Sequence, residues 1–171
     1  MLKLTKGEIM SVIDVIALLP LAMLAVVALP LVVIDYEQHR LPNKIVLPFV
    51  ALSFLTVLVV NVANQSWLNL LLAAGVPLLV AILGLYLNYT GWIGMGDVKL
   101  FFGVLLAVGV YSPLVALLII PISIGLALIE LTFRVITKQF DMTDAIPLGP
   151  WIILATLIIG TSVVIPAMSA W

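Results

Sequence analysis

Long apolar runs separated by short polar segments make up most of the chain from about residue 10 onward. Because a helix rises about 1.5 Å per residue, runs of this length can form helices that cross a hydrocarbon layer of about 30 Å. They lack the alternating segments of about ten residues that build an outer-membrane barrel. The pattern predicts an all-α, polytopic membrane protein with six transmembrane helices in a single domain, residues 1–171. The spans are predicted at residues 10–34, 45–62, 67–87, 94–110, 113–133 and 148–168.

The apolar run over residues 100–133 is ambiguous, because Tyr111-Ser112-Pro113 interrupts it. One helix over this run would be about 50 Å long, which is too long for a single crossing. Two short crossings with a tight turn at Ser112-Pro113 fit better. A fourth span beginning at Leu100 would cover only about 17 Å. Either the bilayer is thinner at this helix, or the helix begins nearer Ile93. The second alternative would place Asp97 inside the membrane boundary.

Composition supports this interpretation. The chain is 65% hydrophobic and 9% charged, with a mean hydropathy of +1.38, whereas soluble domains are about a quarter charged. The net charge of −1 gives no electrostatic basis for binding nucleic acid. With no cysteine and a single histidine, His39, the chain has no disulfide, cysteine nucleophile or multi-histidine metal site. We predict no metal and no cofactor.

The first apolar run has a second interpretation. Lysines precede it, as they precede the apolar core of a cleavable signal peptide. The run is longer than the usual core of about 7–15 residues, so we interpret it as a transmembrane helix.

The distribution of charge predicts an orientation. With six spans, the first, third and fifth loops share one face of the membrane, and the second and fourth loops carry no charge. Five of the seven Lys and Arg residues lie in the first set of loops, which the positive-inside rule assigns to the cytoplasm. Lys3 and Lys6 lie on the other face. The balance predicts that both termini are outside, in a cell inner (cytoplasmic) membrane. The charged residues of the odd-numbered loops are Asp35, Glu37, Arg40, Lys44, Asp97, Lys99, Arg134, Lys138, Asp141 and Asp144.

Two aspartates at this face are candidates for chemistry. Asp35 directly follows the first apolar span, and Asp97 precedes the fourth after a Gly-x-Gly sequence. Carboxyl groups at membrane depth are energetically costly and are commonly functional. Two of them close together share one proton, and such a pair can act as acid and base on a water molecule. This predicts an aspartic dyad. The alternative is structural: Asp97 would cap the fourth helix, and Arg40 would form a salt bridge with Asp35.

Other polar residues fit simpler roles. We expect Glu37, Asp141 and Asp144 to be solvated loop charges and His39 to be an exposed loop residue. Asp14 is expected to reach toward the outer surface. Lys99 has two open roles, tuning the dyad or binding lipid phosphate.

Three segments, taken in order, resemble the type IV prepilin peptidases. Asp35 followed by Arg40-Leu41-Pro42-Asn43 resembles their first aspartate motif. Gly94-Met95-Gly96-Asp97 resembles the second, the Gly-x-Gly-Asp of a wider class of intramembrane aspartic proteases. Residues 146–150, Ile-Pro-Leu-Gly-Pro, are similar to the family's Pro-Phe-Gly-Pro element, with Leu148 in place of Phe.

The resemblance implies an intramembrane aspartic endopeptidase that cuts the basic leader of type IV prepilins or pseudopilins after a glycine, on the cytoplasmic side. Asp35 and Asp97 would be the catalytic pair, and Gly94 and Gly96 would admit an extended substrate. Lys99, Arg40, Pro42 and Asn43 would be supporting or substrate-binding residues. Larger members carry a cysteine-rich zinc-binding insertion and also N-methylate the product. This chain has no cysteine, so it resembles a short form in which methyltransferase activity is doubtful.

Two other functions fit the same residues. A small transporter or channel would use Asp35 and Asp97 as proton or cation sites, although transport sites usually lie near the membrane midplane. A non-catalytic membrane scaffold would use them only as helix caps. The resemblance favours the peptidase, whose partners would be its prepilin-like substrate and the lipid bilayer.

Overall fold

A computed structural model describes the backbone of residues 6–137 and 147–169. The described chain is helical and contains no strand. The predicted loop residues Lys138, Asp141 and Asp144 lie outside the described residues, as does Lys3. The helices are α1 (Lys6–Gln38), α2 (Asn43–Ala63), α3 (Trp67–Tyr89), α4 (Met95–Gly109), α5 (Pro113–Ala116), α6 (Ile119–Ile136) and α7 (Gly149–Ser169).

Five segments of the described chain are long and apolar enough to cross a membrane, in agreement with the prediction of an all-α, multi-pass membrane protein. The predicted fourth span is the exception. It forms α4, whose 15 residues extend over only about 22 Å. The five segments are Val12–Gln38, Asn43–Ala63, Trp67–Tyr89, Pro113–Ile136 and Gly149–Pro166.

The helix break predicted at Ser112-Pro113 is present. α4 ends at Gly109, and α5 begins at Pro113. In the first turn of a helix the missing N–H of proline costs no intrahelical hydrogen bond, so Pro113 is well suited to begin the new helix. The chain then continues through α5 into α6, and both belong to one apolar segment, Pro113–Ile136. The run over residues 100–133 therefore forms two helical segments rather than one.

α4 is the central helix of the bundle. It packs against α1, α2, α3, α5 and α7, and five consecutive side chains, from Val104 to Val108, are completely buried. Gly103 lets Phe49 of α2 approach closely, because a Cβ atom at this position would lie 2.8 Å from the Phe49 ring. A helix enclosed in this way contacts protein on every side, which explains why it can be shorter than its neighbours.

Polar contacts mark the end of the bundle at which α4 terminates. Asn69, near the start of α3, donates hydrogen bonds to Asn61 Oδ1 at 2.6 Å and to the Val110 carbonyl at 3.3 Å. Asn61 belongs to the last turn of α2. Asp14 of α1 acts electrostatically on Tyr111 at the same end. The N-terminus of α4 lies at the opposite end, where the candidate site is found.

Candidate active site

The last turn of α1 carries Asp35. This side chain is only 4% exposed, and its Oδ2 atom accepts a hydrogen bond from the backbone N–H of Gly149 at 3.0 Å. Gly149 is the first residue of α7, where a helix has N–H groups without an intrahelical partner. α1 ends at Gln38, and the next residue, His39, has a φ of 47° that turns the chain away. His39 is exposed, as predicted.

Close packing explains why residue 149 is a glycine. A Cβ atom there would lie 2.6 Å from Asp35 Oδ2 and 3.1 Å from its Cγ. Any larger side chain would therefore push the carboxyl group away from the N–H that it accepts. The contact joins the first and last described helices of the chain at Asp35.

Asp97 lies in the first turn of α4. The N-cap residue is Gly94, so the alternative prediction that Asp97 caps this helix was wrong. The carboxyl group folds back over Gly94, where a Cβ atom would lie 3.0 Å from Asp97 Oδ2. An acidic group in the first turn also interacts favourably with the helix dipole. Gly94 therefore provides the space that this conformation needs.

The electrostatic environment of Asp97 favours its protonated form. Burial, together with the nearby negative charge of Asp35, raises the pKa of Asp97 from 3.8 to about 7, and a backbone hydrogen bond at Gly94 opposes the shift. A carboxyl group with such a pKa can hold a proton near neutral pH and release it in a reaction.

Two cavities meet at the aspartates, with volumes of about 440 and 490 Å³. Asp35, Asp97, Gly94 and His39 line both of them. The site thus brings together the two aspartates predicted from the sequence and opens on two sides. The first cavity is otherwise lined by Arg40, Leu41, Asn43, Met95, Gly96 and Lys99, and the second by Asn88, Gly91, Trp92, Ile93, Pro147 and Leu148.

A family model described as the type IV leader peptidase family matches residues 22–129. The chain belongs to this family. Both Asp35 and Asp97 lie within the matched residues. No curated protein and no solved structure gave a significant match. Membership in the leader peptidase family, together with five apolar helices, describes a multi-pass membrane protein of a peptidase family whose members act on prepilin-type substrates.

The two sequence motifs of this leader peptidase family member are in direct contact. Lys99 Nζ donates a hydrogen bond to Asn43 Oδ1 at 3.0 Å, which links α4 to the start of α2. Gly96 faces Leu41, and a Cβ atom at this glycine would lie 3.0 Å from Leu41 Cβ. The backbone carbonyl of Pro42 accepts hydrogen bonds from the first turn of α2. These contacts keep the chain after Asp35 close to the helix that carries Asp97.

Arg40 is exposed and lines the first cavity. Within the described residues it forms no ion pair with Asp35, so the predicted alternative of a salt bridge at that aspartate was wrong. Its guanidinium group instead adds positive charge to the wall of the cavity.

Sequence reasoning missed two features of the site. The motif resemblance predicts no contact for the Pro-Leu-Gly-Pro element, although its Gly149 N–H donates a hydrogen bond to Asp35. Glu130 of α6 was given no role from the sequence, although its carboxylate accepts hydrogen bonds from residues of α1, α6 and α7. A glutamate inside an otherwise apolar span was the signal available for the second.

Proposed function

We propose that this chain is an intramembrane aspartic endopeptidase that cleaves the leader peptide of type IV prepilins or pseudopilins after a glycine, at the cytoplasmic face of the inner membrane. One observation carries the proposal: Asp35 and Asp97 line the same two cavities. The raised pKa of Asp97 supports it, because a pair that acts on water needs one proton between its two carboxyl groups. The openings on both sides suit an extended peptide cut at an internal bond.

The two carboxyl groups have different roles in the proposed mechanism. Asp97 holds the proton, and Asp35, which accepts the Gly149 N–H, is the ionised partner. Asp35 removes a proton from water as the water oxygen attacks the scissile carbonyl carbon, and Asp97 donates its proton to the carbonyl oxygen. Asp35 then gives the acquired proton to the amide nitrogen as the C–N bond breaks, and Asp97 recovers a proton from the tetrahedral intermediate. The products are a carboxylic acid and an amine, and both aspartates return to their starting states.

We further propose that α4 is the sixth membrane crossing and that both termini lie outside. Two observations support this. α4 joins the end of the bundle that holds the aspartates to the end where Asn69 binds Val110. The described parts of the odd-numbered loops, represented by His39, Gly91 and Pro147, line one cavity together. This is the face that the excess of Lys and Arg assigns to the cytoplasm.

Cleavage of a synthetic substrate tests the function. The purified chain in proteoliposomes is incubated with a prepilin-like peptide that contains a basic leader, a glycine and the following apolar segment, and the cut site is read by mass spectrometry. We expect one cut after the glycine, abolished by Asp35→Ala and by Asp97→Ala. Asp14→Ala, in α1 but at the other end of the bundle, is the matched control and should retain activity. Normal cutting by either dyad variant would disprove the dyad. Proton or cation flux in the same liposomes, without a peptide product, would instead indicate the transporter.

A further inference from the structure

A partly buried polar cluster beside the candidate site centres on Glu130 of α6. Its Oε2 atom accepts a hydrogen bond from Trp151 Nε1 of α7 at 2.6 Å. Its Oε1 atom accepts hydrogen bonds from Arg134, one turn further along α6, and from the Tyr36 hydroxyl of α1 at 3.4 Å. The Glu130 side chain is only 12% exposed. One carboxylate therefore connects α1, α6 and α7.

The position of these contacts along the chain relates them to the site. Tyr36 directly follows Asp35, and Trp151 lies two residues after Gly149. Two residues of helix correspond to about 3 Å along the axis. Glu130 therefore contacts one residue close in sequence to Asp35 and one close in sequence to Gly149, the two partners of that hydrogen bond.

A carboxylate on an apolar helix is costly unless donors satisfy its oxygens. α6 packs chiefly against α7, and a simple helix-to-helix attachment would need no contact with α1. The additional hydrogen bond from Tyr36 joins the helix that carries Asp35 to the same carboxylate. Glu130, Gly149 and Trp151 also lie beyond residues 22–129, so the family match assigns them no role.

From this arrangement we infer that Glu130 is a positioning residue for the dyad: through Trp151 and Tyr36 it fixes the start of α7 against Asp35, so that the Gly149 N–H keeps the Asp35 carboxylate in its reactive orientation. The inference rests on the proposed peptidase function. It assigns Glu130 no contact with substrate.

Steady-state kinetics and amide exchange together test the inference. Trp151→Phe keeps an aromatic ring and removes the donor, Glu130→Gln keeps an acceptor and removes the charge, and Glu130→Ala removes both. We expect kcat to fall about tenfold in the first two variants and further in the third, with KM unchanged, because the loss concerns geometry rather than substrate binding. Trp67→Phe is the matched control, since this tryptophan is 63% exposed on α3, and it should behave as the wild type. The double variant Glu130→Ala/Trp151→Phe should lose about as much as Glu130→Ala alone, because Glu130→Ala already removes the acceptor for the Trp151 N–H.

Hydrogen exchange gives a readout that does not depend on activity. Pro147 and Pro150 have no N–H, so the amides of this short stretch are those of Leu148 and Gly149. The Gly149 amide should exchange about tenfold faster in Trp151→Phe and Glu130→Gln than in the wild type, because its bond to Asp35 opens more often.

Three results would overturn the inference. The first is a kcat within about twofold of the wild type in both Trp151→Phe and Glu130→Gln. The second is a loss of activity that only matches the loss of folded protein in the membrane, and the third is a loss of activity with unchanged exchange of the Gly149 amide. A different outcome is that the wild-type chain does not cleave the peptide, while Trp151→Phe still accelerates exchange of the Gly149 amide. This outcome would overturn the proposed function and with it the role of Glu130 in positioning the dyad. The physical link from Glu130 to Gly149 would then stand alone.

Discussion

The backbone N–H of Gly149 donates a hydrogen bond to Asp35 across 114 residues of sequence, with a distance of 3.0 Å to Oδ2. The start of the last helix is therefore part of the surroundings of an aspartate on the first. This pairing depends on the absence of a side chain at residue 149, and it makes the geometry of Asp35 sensitive to a single methyl group.

Gly149→Ala should reduce the rate of peptide cleavage by about 100-fold, because a displacement of about 1 Å at a catalytic group can cost that much. The added Cβ atom would lie 2.6 Å from Asp35 Oδ2, so either the carboxyl group or the helix must move. The rate is measured with the prepilin-like peptide. Gly125→Ala on α6 is the matched control, since a Cβ atom there meets nothing within 4 Å. Equal rates for the two variants would refute the role of this contact.

Cleavage should decline as the pH rises above about 7. Because the pKa of Asp97 is raised to about 7, this group keeps its proton below that pH and loses it above, and the pair then lacks its acid. The measurement is kcat/KM as a function of pH in proteoliposomes. The raised pKa also means that the folded state favours protonated Asp97. The stability that this preference provides is fully present below pH 3.8 and is lost progressively as the pH rises to about 7.

Asp35→Asn supplies the control for this pH dependence. Removing the charge of Asp35 removes one of the two causes of the raised pKa, so Asp97 should become ionised at lower pH. Labelling of Asp97 by a carbodiimide, which reacts with protonated carboxyl groups, should then decrease near neutral pH relative to the wild type. Unchanged labelling would mean that the two carboxyl groups do not interact.

Asn43→Ala and Lys99→Met should each lower kcat/KM about threefold to tenfold, and the double variant should lose no more than the single ones. The reason is that both residues form one hydrogen bond, between Nζ and Oδ1 at 3.0 Å, and residues that share a contact are non-additive. Lys44→Met, the exposed neighbour of Asn43, serves as the control. A loss for Lys99→Met that disappears in vesicles without anionic lipid would instead indicate binding of lipid phosphate.

Tyr111→Phe should leave the free energy of unfolding unchanged or raise it by about 1 kcal/mol, because burying a hydroxyl without a hydrogen bond is unfavourable. Among the described residues the buried Tyr111 hydroxyl has no hydrogen-bond partner. Burial and the charge of Asp14 raise its pKa to about 12, so the phenol stays neutral and the effect should be the same at pH 6 and pH 9. Unfolding in detergent measures it, with the exposed Tyr86→Phe as control. A clear loss of stability would reveal a partner for the hydroxyl.

Much of the fold followed from local patterns. The apolar runs predicted the helices closely, and Ser112-Pro113 predicted the break after α4. The length of α4 could not be predicted from local patterns, because it depends on enclosure by five other helices rather than on the residues of α4 itself.

The two aspartates were recognised because each belongs to a contiguous motif. Contacts between distant segments leave no such pattern. The bond from Gly149 to Asp35 and the partners of Glu130 arise only when α1, α6 and α7 pack together. The direction in which the Asp97 carboxyl group points was equally hidden, since a first-turn aspartate can occupy several positions relative to the cap.

The two aspartates of the site are carried by helices with unequal exposure to lipid, because α4, which carries Asp97, is enclosed by other helices, whereas α1, which carries Asp35, has an exposed face. The side chains of α4 from Val104 to Val108 touch only protein, whereas Val26 and Leu29 of α1 are 78% and 76% exposed. Thinner or thicker bilayers should therefore tilt α1 and leave α4 in place. The length of the lipid acyl chains would therefore affect the reaction by displacing Asp35 and not Asp97. The hydrogen bond from the start of α7 to Asp35 would oppose this displacement.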